Sequence, residues 1–362
     1  MKNKKVRKLI NQVHLWLGLV TGIIVFIISI TGFIYIFEEE IRNFSQKDYL
    51  TVPVQQQPRA DLGTIVENFQ TVSKEKLGTI KLSPQQANST VQVITAKRKT
   101  FYFDPYTAKV VQATKADWLN TVLELHTSLL LGEIGKTIQK WSVVIFIIML
   151  VTGLILWFPA RSGLIKQSLS IKWGASVKRV NFDLHQVLGF YASIFLMVIA
   201  LSGTYFAFSG VKKTVAFVTG SKLQEGVKNN SSISLVYATA PQRYNSIYNQ
   251  VSKYITGAQS VTFSVRKTKE LRVRMIYPYQ FSRKQNTFFF DEATGELLRS
   301  KLYQNNTAAD WYESTNYDLH TGRLFGYFSK FLWCLVSLIG ASLPVTGFVI
   351  WWKKKRKPRR QN

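Results

Sequence analysis

Residues Leu9 to Phe37 read LINQVHLWLGLVTGIIVFIISITGFIYIF, 29 positions without an Asp, Glu, Lys or Arg. An α-helix rises ~1.5 Å per residue and the hydrocarbon core of a bilayer is ~30 Å thick, so ~20 apolar residues suffice to cross it. Working outward from this stretch, three others meet the same condition: Trp141 to Ala160 with 20 residues, Leu184 to Val211 with 28, and Phe331 to Trp352 with 22. The chain is therefore expected to be an α-helical membrane protein with four transmembrane helices. The first run follows Lys2, Lys4, Lys5, Arg7 and Lys8, as the apolar part of a signal peptide would. It is too long for that, and Glu38, Glu39 and Glu40 follow it without a small-residue cleavage site, so an uncleaved span is expected.

The formal net charge is +27 over 362 residues. In a soluble chain that excess would point to nucleic acid. Its distribution says otherwise. Residues 1–12 carry five basic side chains, 159–180 carry five and 353–362 carry seven, all without an acid. Loop 38–136 has 12 basic and 11 acidic residues, and loop 210–329 has 16 and 8. Basic residues concentrated in short segments mark the cytoplasmic side of a membrane. Both termini and the short middle segment are then cytoplasmic, and two loops of roughly one hundred residues lie outside. The charge marks topology and lipid contact, with no nucleic-acid partner.

The chain also repeats itself. HLWLGLVTGIIVFIISITG (His14–Gly32) aligns with HQVLGFYASIFLMVIALSG (His185–Gly203), with Leu-Gly at +3 and +4 and a closing Gly at +18 in both. LELHTSLLLG (Leu123–Gly132) aligns with YDLHTGRLFG (Tyr317–Gly326). Each follows an Ala-Asp-Trp and precedes VTGLILW (Val151–Trp157) or VTGFVIWW (Val345–Trp352). Between the spans, FYFDPYTAKVV (Phe101–Val111) matches FFFDEATGELL (Phe288–Leu298), each an aromatic strand, a turn and a return strand. Residues 90–95 and 270–275 alternate as strands do, and 61–77 and 241–256 have a more helical pattern.

The expected architecture is thus a tandem pseudo-twofold repeat of four spans plus two small extracytoplasmic α+β modules. Its parts are a first span (1–37), a first outer module (38–117), an interfacial helix with the second span (118–160) and a cytoplasmic loop (161–183). A third span (184–211), a second outer module (212–310), an interfacial helix with the fourth span (311–352) and a basic tail (353–362) complete it.

The chain has four histidines, His14, His126, His185 and His320, one at an equivalent place in each membrane unit. Imidazole is a good iron ligand, and two axial imidazoles suit a haem that transfers electrons. Two equivalent histidines across a twofold axis can supply one ligand from each side of the plate. His14 with His185 would hold a haem near the cytoplasmic face, and His126 with His320 one near the outer face. Pairing His14 with His126 fails, because a whole span separates them. Gly18 and Gly189, at i+4 from their histidines, either leave room for a porphyrin or serve close helix packing. Basic partners for propionates are expected among Arg7, Lys8, Lys178 and Arg179 inside, and Lys136, Lys140 or Arg323 outside. The single Cys334 excludes an intramolecular disulfide, a c-type attachment and an intrinsic iron–sulfur centre. No HExxH, P-loop or GxGxxG motif opens a helix.

These residues resemble the PepSY-associated transmembrane family, also described as iron-regulated membrane proteins and siderophore reductases. The resemblance rests on the four span units quoted above and on the two FxFDxxT segments, Phe101–Thr107 and Phe288–Thr294, which look like the ends of PepSY modules. The modules differ in their turns, Pro105-Tyr106 against Glu292-Ala293. The resemblance implies a multi-pass inner-membrane protein with two haem b groups on the four histidines and periplasmic loops. Such a protein would pass electrons from a quinol or cytoplasmic reductant to a ferric siderophore and release Fe(II). An alternative is a non-enzymatic scaffold or sensor whose outer modules bind a peptide or protein partner. Spans without polar breaks argue against a siderophore permease.

Overall fold

The computed structural model describes residues 4–115, 117–159, 162–223, 226–228 and 239–355. In chain order its helices are α1 (Lys4–Tyr35), α2 (Glu38–Ser45), α3 (Lys47–Leu50), α4 (Leu62–Val72), α5 (Trp118–Ser128) and α6 (Gly132–Trp157). Then come α7 (Ile165–Ser168), α8 (Val177–Ala207), α9 (Ser209–Val218), α10 (Ala240–Ile255), α11 (Ala308–Thr321) and α12 (Gly326–Lys355). The strands are β1 (Leu77–Leu82), β2 (Val91–Thr95), β3 (Thr100–Phe103), β4 (Val110–Thr114), β5 (Val227–Lys228), β6 (Ser260–Val265), β7 (Glu270–Ile276), β8 (Gln285–Asp291) and β9 (Leu297–Lys301). They divide into two units, one of 1–38, 119–213 and 316–362, the other of 39–118 and 214–315.

In the first unit α1, α6, α8 and α12 are long and apolar enough to cross a bilayer, with peak mean hydropathies of 2.5, 2.2, 2.0 and 1.9. α1 and α8 each pack against both α6 and α12, which closes a four-helix ring. Its interior is built on Leu150, Ala192, Leu196 and Val336. Large apolar side chains such as Trp16, Ile23, Ile194 and Phe331 point outward, as a lipid-facing surface requires. α12 approaches its neighbours through Gly340, where a Cβ would stand 3.1 Å from Leu196 Cδ2 and 3.2 Å from Ser29 Oγ. Small residues at such crossings let helix backbones come close in lipid.

The helix that contains the third expected span, α8, starts at Val177, ahead of the uncharged run, where Arg179 and Asp183 pair at i,i+4 (2.9 Å) and carry it back through charged residues. The tail beyond Lys355, Arg161 of the middle segment, and residues 229–238 of the second outer module lie outside the described residues.

The helices that precede the second and fourth spans end alike. Gly132 and Gly326, each six residues after a histidine, have φ of 59° and 61°. Only glycine takes that left-handed conformation without a Cβ penalty, so the shared glycine marks the break between α5 and α6 and between α11 and α12.

In the second unit the strands expected of the two modules join edge to edge. β1 pairs antiparallel with β6, matching Ile80 to Phe263 and Lys81 to Thr262. The described strands therefore form one nine-stranded sheet in the order β4-β3-β2-β1-β6-β7-β8-β9-β5. α4 and α10 pack on each other and on one face of this sheet, sharing a core that includes Phe69, Ile80, Val93, Ile247, Phe263 and Phe290. Asp61 caps α4 by accepting from Thr64 N (2.8 Å), and Thr239 caps α10, whose first turn contains Pro241.

Candidate histidine-paired cofactor site

The four histidines come together in the two expected pairs. The ring centroids of His14 (α1) and His185 (α8) are 6.4 Å apart. Those of His126 (α5) and His320 (α11) are 6.2 Å apart. A metal–imidazole nitrogen bond is about 2.0 Å, and an imidazole centroid lies roughly 1 Å behind its nitrogen. Two rings on opposite sides of one ion therefore have centroids about 6 Å apart. Both observed separations match. Among the described residues no three His, Cys, Asp or Glu side chains converge, so the donor set is two pairs.

Each ring is oriented from behind in the same way. His126 Nδ1 lies 3.0 Å from the Ile28 carbonyl and 3.0 Å from Thr31 Oγ1. His320 Nδ1 lies 3.0 Å from the Ile199 carbonyl and 3.0 Å from Ser202 Oγ. A carbonyl only accepts, so Nδ1 carries the hydrogen and donates. At the other pair His14 Nδ1 meets Thr152 Oγ1 at 3.0 Å and His185 Nδ1 meets Thr346 Oγ1 at 2.9 Å. Those threonine hydroxyls donate to carbonyls in their own helices, Thr152 to Ile148 at 2.8 Å and Thr346 to Ser342 at 2.9 Å. Their oxygens are left to accept from the imidazoles. All four rings are thus held in the tautomer whose Nε2 is bare, the form in which a histidine ligates a metal.

A glycine follows each receiving hydroxyl. A Cβ on Gly32 would stand 3.3 Å from His126 Cε1, and on Gly153 3.3 Å from His14 Cε1. On Gly203 and Gly347 it would stand 3.2 Å from His320 and His185 Cε1. The receiving dipeptides are therefore Thr31-Gly32, Thr152-Gly153, Ser202-Gly203 and Thr346-Gly347. The closing glycines and the Val-Thr-Gly runs were already legible as repeat landmarks, but not as seats for the histidines. The signal was a hydroxyl–glycine step 17 residues after His14 and His185 and 26 after His126 and His320. Since Thr31 and His14 share α1, 17 residues apart, the two pairs are about 25 Å apart along its axis.

The second-half histidines carry more. Asn181 and Asn316 stand four residues before His185 and His320, and each Nδ2 donates 3.1 Å to the carbonyl of the receiving residue, Thr346 or Ser202. Asp183 and Asp318, two residues before, are buried. Asp183 accepts from Arg179 and from Lys172 N.

The His14–His185 pair lines a cavity of about 1230 Å³ between the four spans, above the ~300–1,000 Å³ usual for small-molecule sites. Its walls are mostly apolar, with Gly18, Gly22, Gly189, Trp157 and Phe190 among them, and Lys4, Arg7, Lys8 and Lys354 at one end. Gly18 and Gly189 stand at close helix contacts as well as on the cavity wall. They line the cavity, and their missing Cβ atoms face Met149 Cε at 3.0 Å and Leu343 Cδ2 at 3.4 Å on neighbouring spans.

Most of the expected propionate partners are engaged elsewhere. Arg7 donates to the Leu156 and Phe158 carbonyls at the end of α6 (2.9 and 3.2 Å), which complements the exposed carbonyls there. Lys8 lines the cavity, joined by Lys4 and Lys354, whereas Lys178 and Arg179 line only a smaller neighbouring pocket. Near the other pair, Lys136 pairs with Glu133, Lys140 sits over the Phe208 ring and Arg323 faces Glu38.

Outside the spans, burial lowers His126 to about 4, helped by His320 beside it, and burial lowers His320 as well. Both rings are neutral at pH 7. The family model described as the PepSY-associated TM region matches residues 11–354. No curated protein matches the chain.

Proposed function

From the premise that the chain belongs to the PepSY-associated transmembrane family, we propose that it is a di-haem b inner-membrane reductase. It takes electrons from a quinol or cytoplasmic reductant and delivers them to a ferric siderophore on the periplasmic side. The observation that carries this reading is the pairing of four tautomer-locked histidines at 6.4 and 6.2 Å. Haem held by His14 with His185 and by His126 with His320 would supply one-electron transfer.

The chain's own residues do the rest. Thr152, Thr346, Thr31 and Ser202 hold the imidazoles in one rotation and present Nε2. Gly153, Gly347, Gly32 and Gly203 let the rings sit against the opposite helix. Lys4, Lys8 and Lys354 offer charge to carboxylates at the open end of the cavity. The two half-units, each a span, an outer segment, a short helix and a span, are related by a pseudo-twofold axis along the membrane normal. The basic termini lie in the cytoplasm. Reduction is a sound release mechanism, because hard oxygen chelators hold Fe(III) better than Fe(II).

The test is an absorbance spectrum of the purified protein with a haem count. Two b-type haems per chain, with sharp α and β bands on reduction, are expected. A preparation that stays colourless after incubation with haemin would overturn the assignment and leave the scaffold reading standing. Ferrozine-detected Fe(II) release from a panel of ferric siderophores then tests the reaction.

A further inference from the structure

The face of the sheet opposite α4 and α10 is organised by register into cross-strand rows. One row runs Lys81, Thr262, Arg274, Thr287, Lys301 across β1, β6, β7, β8 and β9. The next runs Thr79, Ser264, Arg272, Phe289, Arg299 over the same strands. Long basic side chains thus stand around short hydroxyl residues. No two of these cations are paired directly across strands, but Arg272 and Arg274 stand two residues apart on one face of β7, so their charges act on the same patch.

Within the second row Arg299 is satisfied. It holds both oxygens of Glu270 (2.6 and 3.1 Å) and lies 3.9 Å over the Phe289 ring. Arg272 is not. Its Nε–H is buried and meets no acceptor among the described residues. A buried donor without an acceptor has given up its hydration and gained nothing in return, the more so when charged. Desolvation, with Arg266 nearby, lowers the Arg272 guanidinium from its ordinary value. The same face of β2, β3 and β4 offers Gln92, Tyr102 and Gln112 in line with the first row, with no charge at all. There α3 and the residue before it cover the sheet, as Tyr102 donates to Gln46 (3.0 Å) and stacks edge-on with Tyr49.

We propose that the Arg272–Arg274 face is a binding site for an oxygen-rich polyanion. Resting on the function proposed above, its occupant is a ferric chelate of the polycarboxylate class. Guanidinium forks match carboxylates bidentately. The floor of Thr79, Thr262 and Ser264 hydroxyls adds donors for the remaining oxygens. The Nε–H of Arg272 gains the acceptor it lacks.

The test is calorimetric titration of the full chain in detergent with gallium(III) citrate, a redox-inert stand-in for the ferric complex. Binding is expected to weaken about tenfold or more in Arg272→Gln, by a similar factor in Arg274→Gln, and less in the more peripheral Lys301→Gln. It should also fall with added salt. Unchanged melting temperature and haem content certify that each variant is folded. Absence of gallium citrate binding, equal binding by folded variants, or equal affinity for inorganic phosphate and for gallium citrate would each overturn the proposal. The two readings fail separately. A haem-loaded protein that ignores gallium citrate loses this site and keeps the reductase. A colourless protein that binds it through Arg272 keeps a polyanion site and loses the reductase.

Discussion

The two halves of the chain place the same parts at the same positions and then finish them differently. Each half contributes one histidine to each pair and seats both of its histidines on its own hydroxyl–glycine steps, at the same spacing in the two halves. In the second half both histidines stand in an Asn-aromatic-Asp-Leu-His run, Asn181–His185 and Asn316–His320, where the first half has Ile10 and Val122 in the asparagine positions. The sheet divides in the same way. Of the first half's strands, β2, β3 and β4 present uncharged side chains partly covered by α3 and β1 adds Lys81, whereas the second half's present Arg272, Arg274, Arg299 and Lys301. The shared features are those a paired cofactor needs from both sides. The unshared ones are additions made once, on one half of an otherwise repeated frame.

The equivalence of the halves is open to the strongest test. His14→Ala and His185→Ala should each remove one of two haems, and so should His126→Ala and His320→Ala, by haem count and reduced spectrum. Loss in one member of a pair but not in the other would break the comparison at its base. Next in size, Thr152→Val and Thr346→Val should weaken haem retention similarly, by about 10–100-fold. Thr31→Val and Ser202→Ala should do less, because the Ile28 and Ile199 carbonyls remain on Nδ1 at 3.0 Å. Apomyoglobin capture rates would measure both.

The difference between the halves is tested by Asn181→Leu and Asn316→Leu, which leave the Thr346 and Ser202 carbonyls without their donor. A loss of about 1 kcal/mol each is expected in thermal denaturation followed by haem absorbance. The first-half positions cannot show this loss, and Val122→Asn should bring no gain. Smallest is Glu270, whose carboxyl Arg299 holds below its ordinary value of 4.5. A lowered folded value means stability that is complete above the unfolded value and lost as pH falls through the folded one. Acid unfolding of the protein should therefore lose about 0.5 kcal/mol below pH ~4.5 from this partly exposed pair. Glu270→Gln should abolish that increment, and no first-half residue on this face should supply one.

Much of this was legible because it is written in composition and spacing. Four uncharged runs long enough to cross a bilayer announce the four long apolar helices. Histidines at matched positions in matched units can only be compared in pairs. What escaped is what depends on partners distant in sequence. The pairing of β1 with β6 joins strands about 180 residues apart, and no local pattern states a register between them. The basic residues near the histidines looked interchangeable, yet of those that line the cavity Arg7 is the one that also binds the carbonyls at the end of α6.

The sequence by itself determined the four long apolar helices and the pairing of the histidines, since hydropathy and spacing act along the chain. Only the tertiary structure decided which hydroxyl and which glycine receive each ring, that the segments between the spans share one sheet, and that five basic side chains fall on one face of it. Those outcomes follow from the packing of side chains across helices and from register across strands, which bring together residues that no spacing along the chain connects.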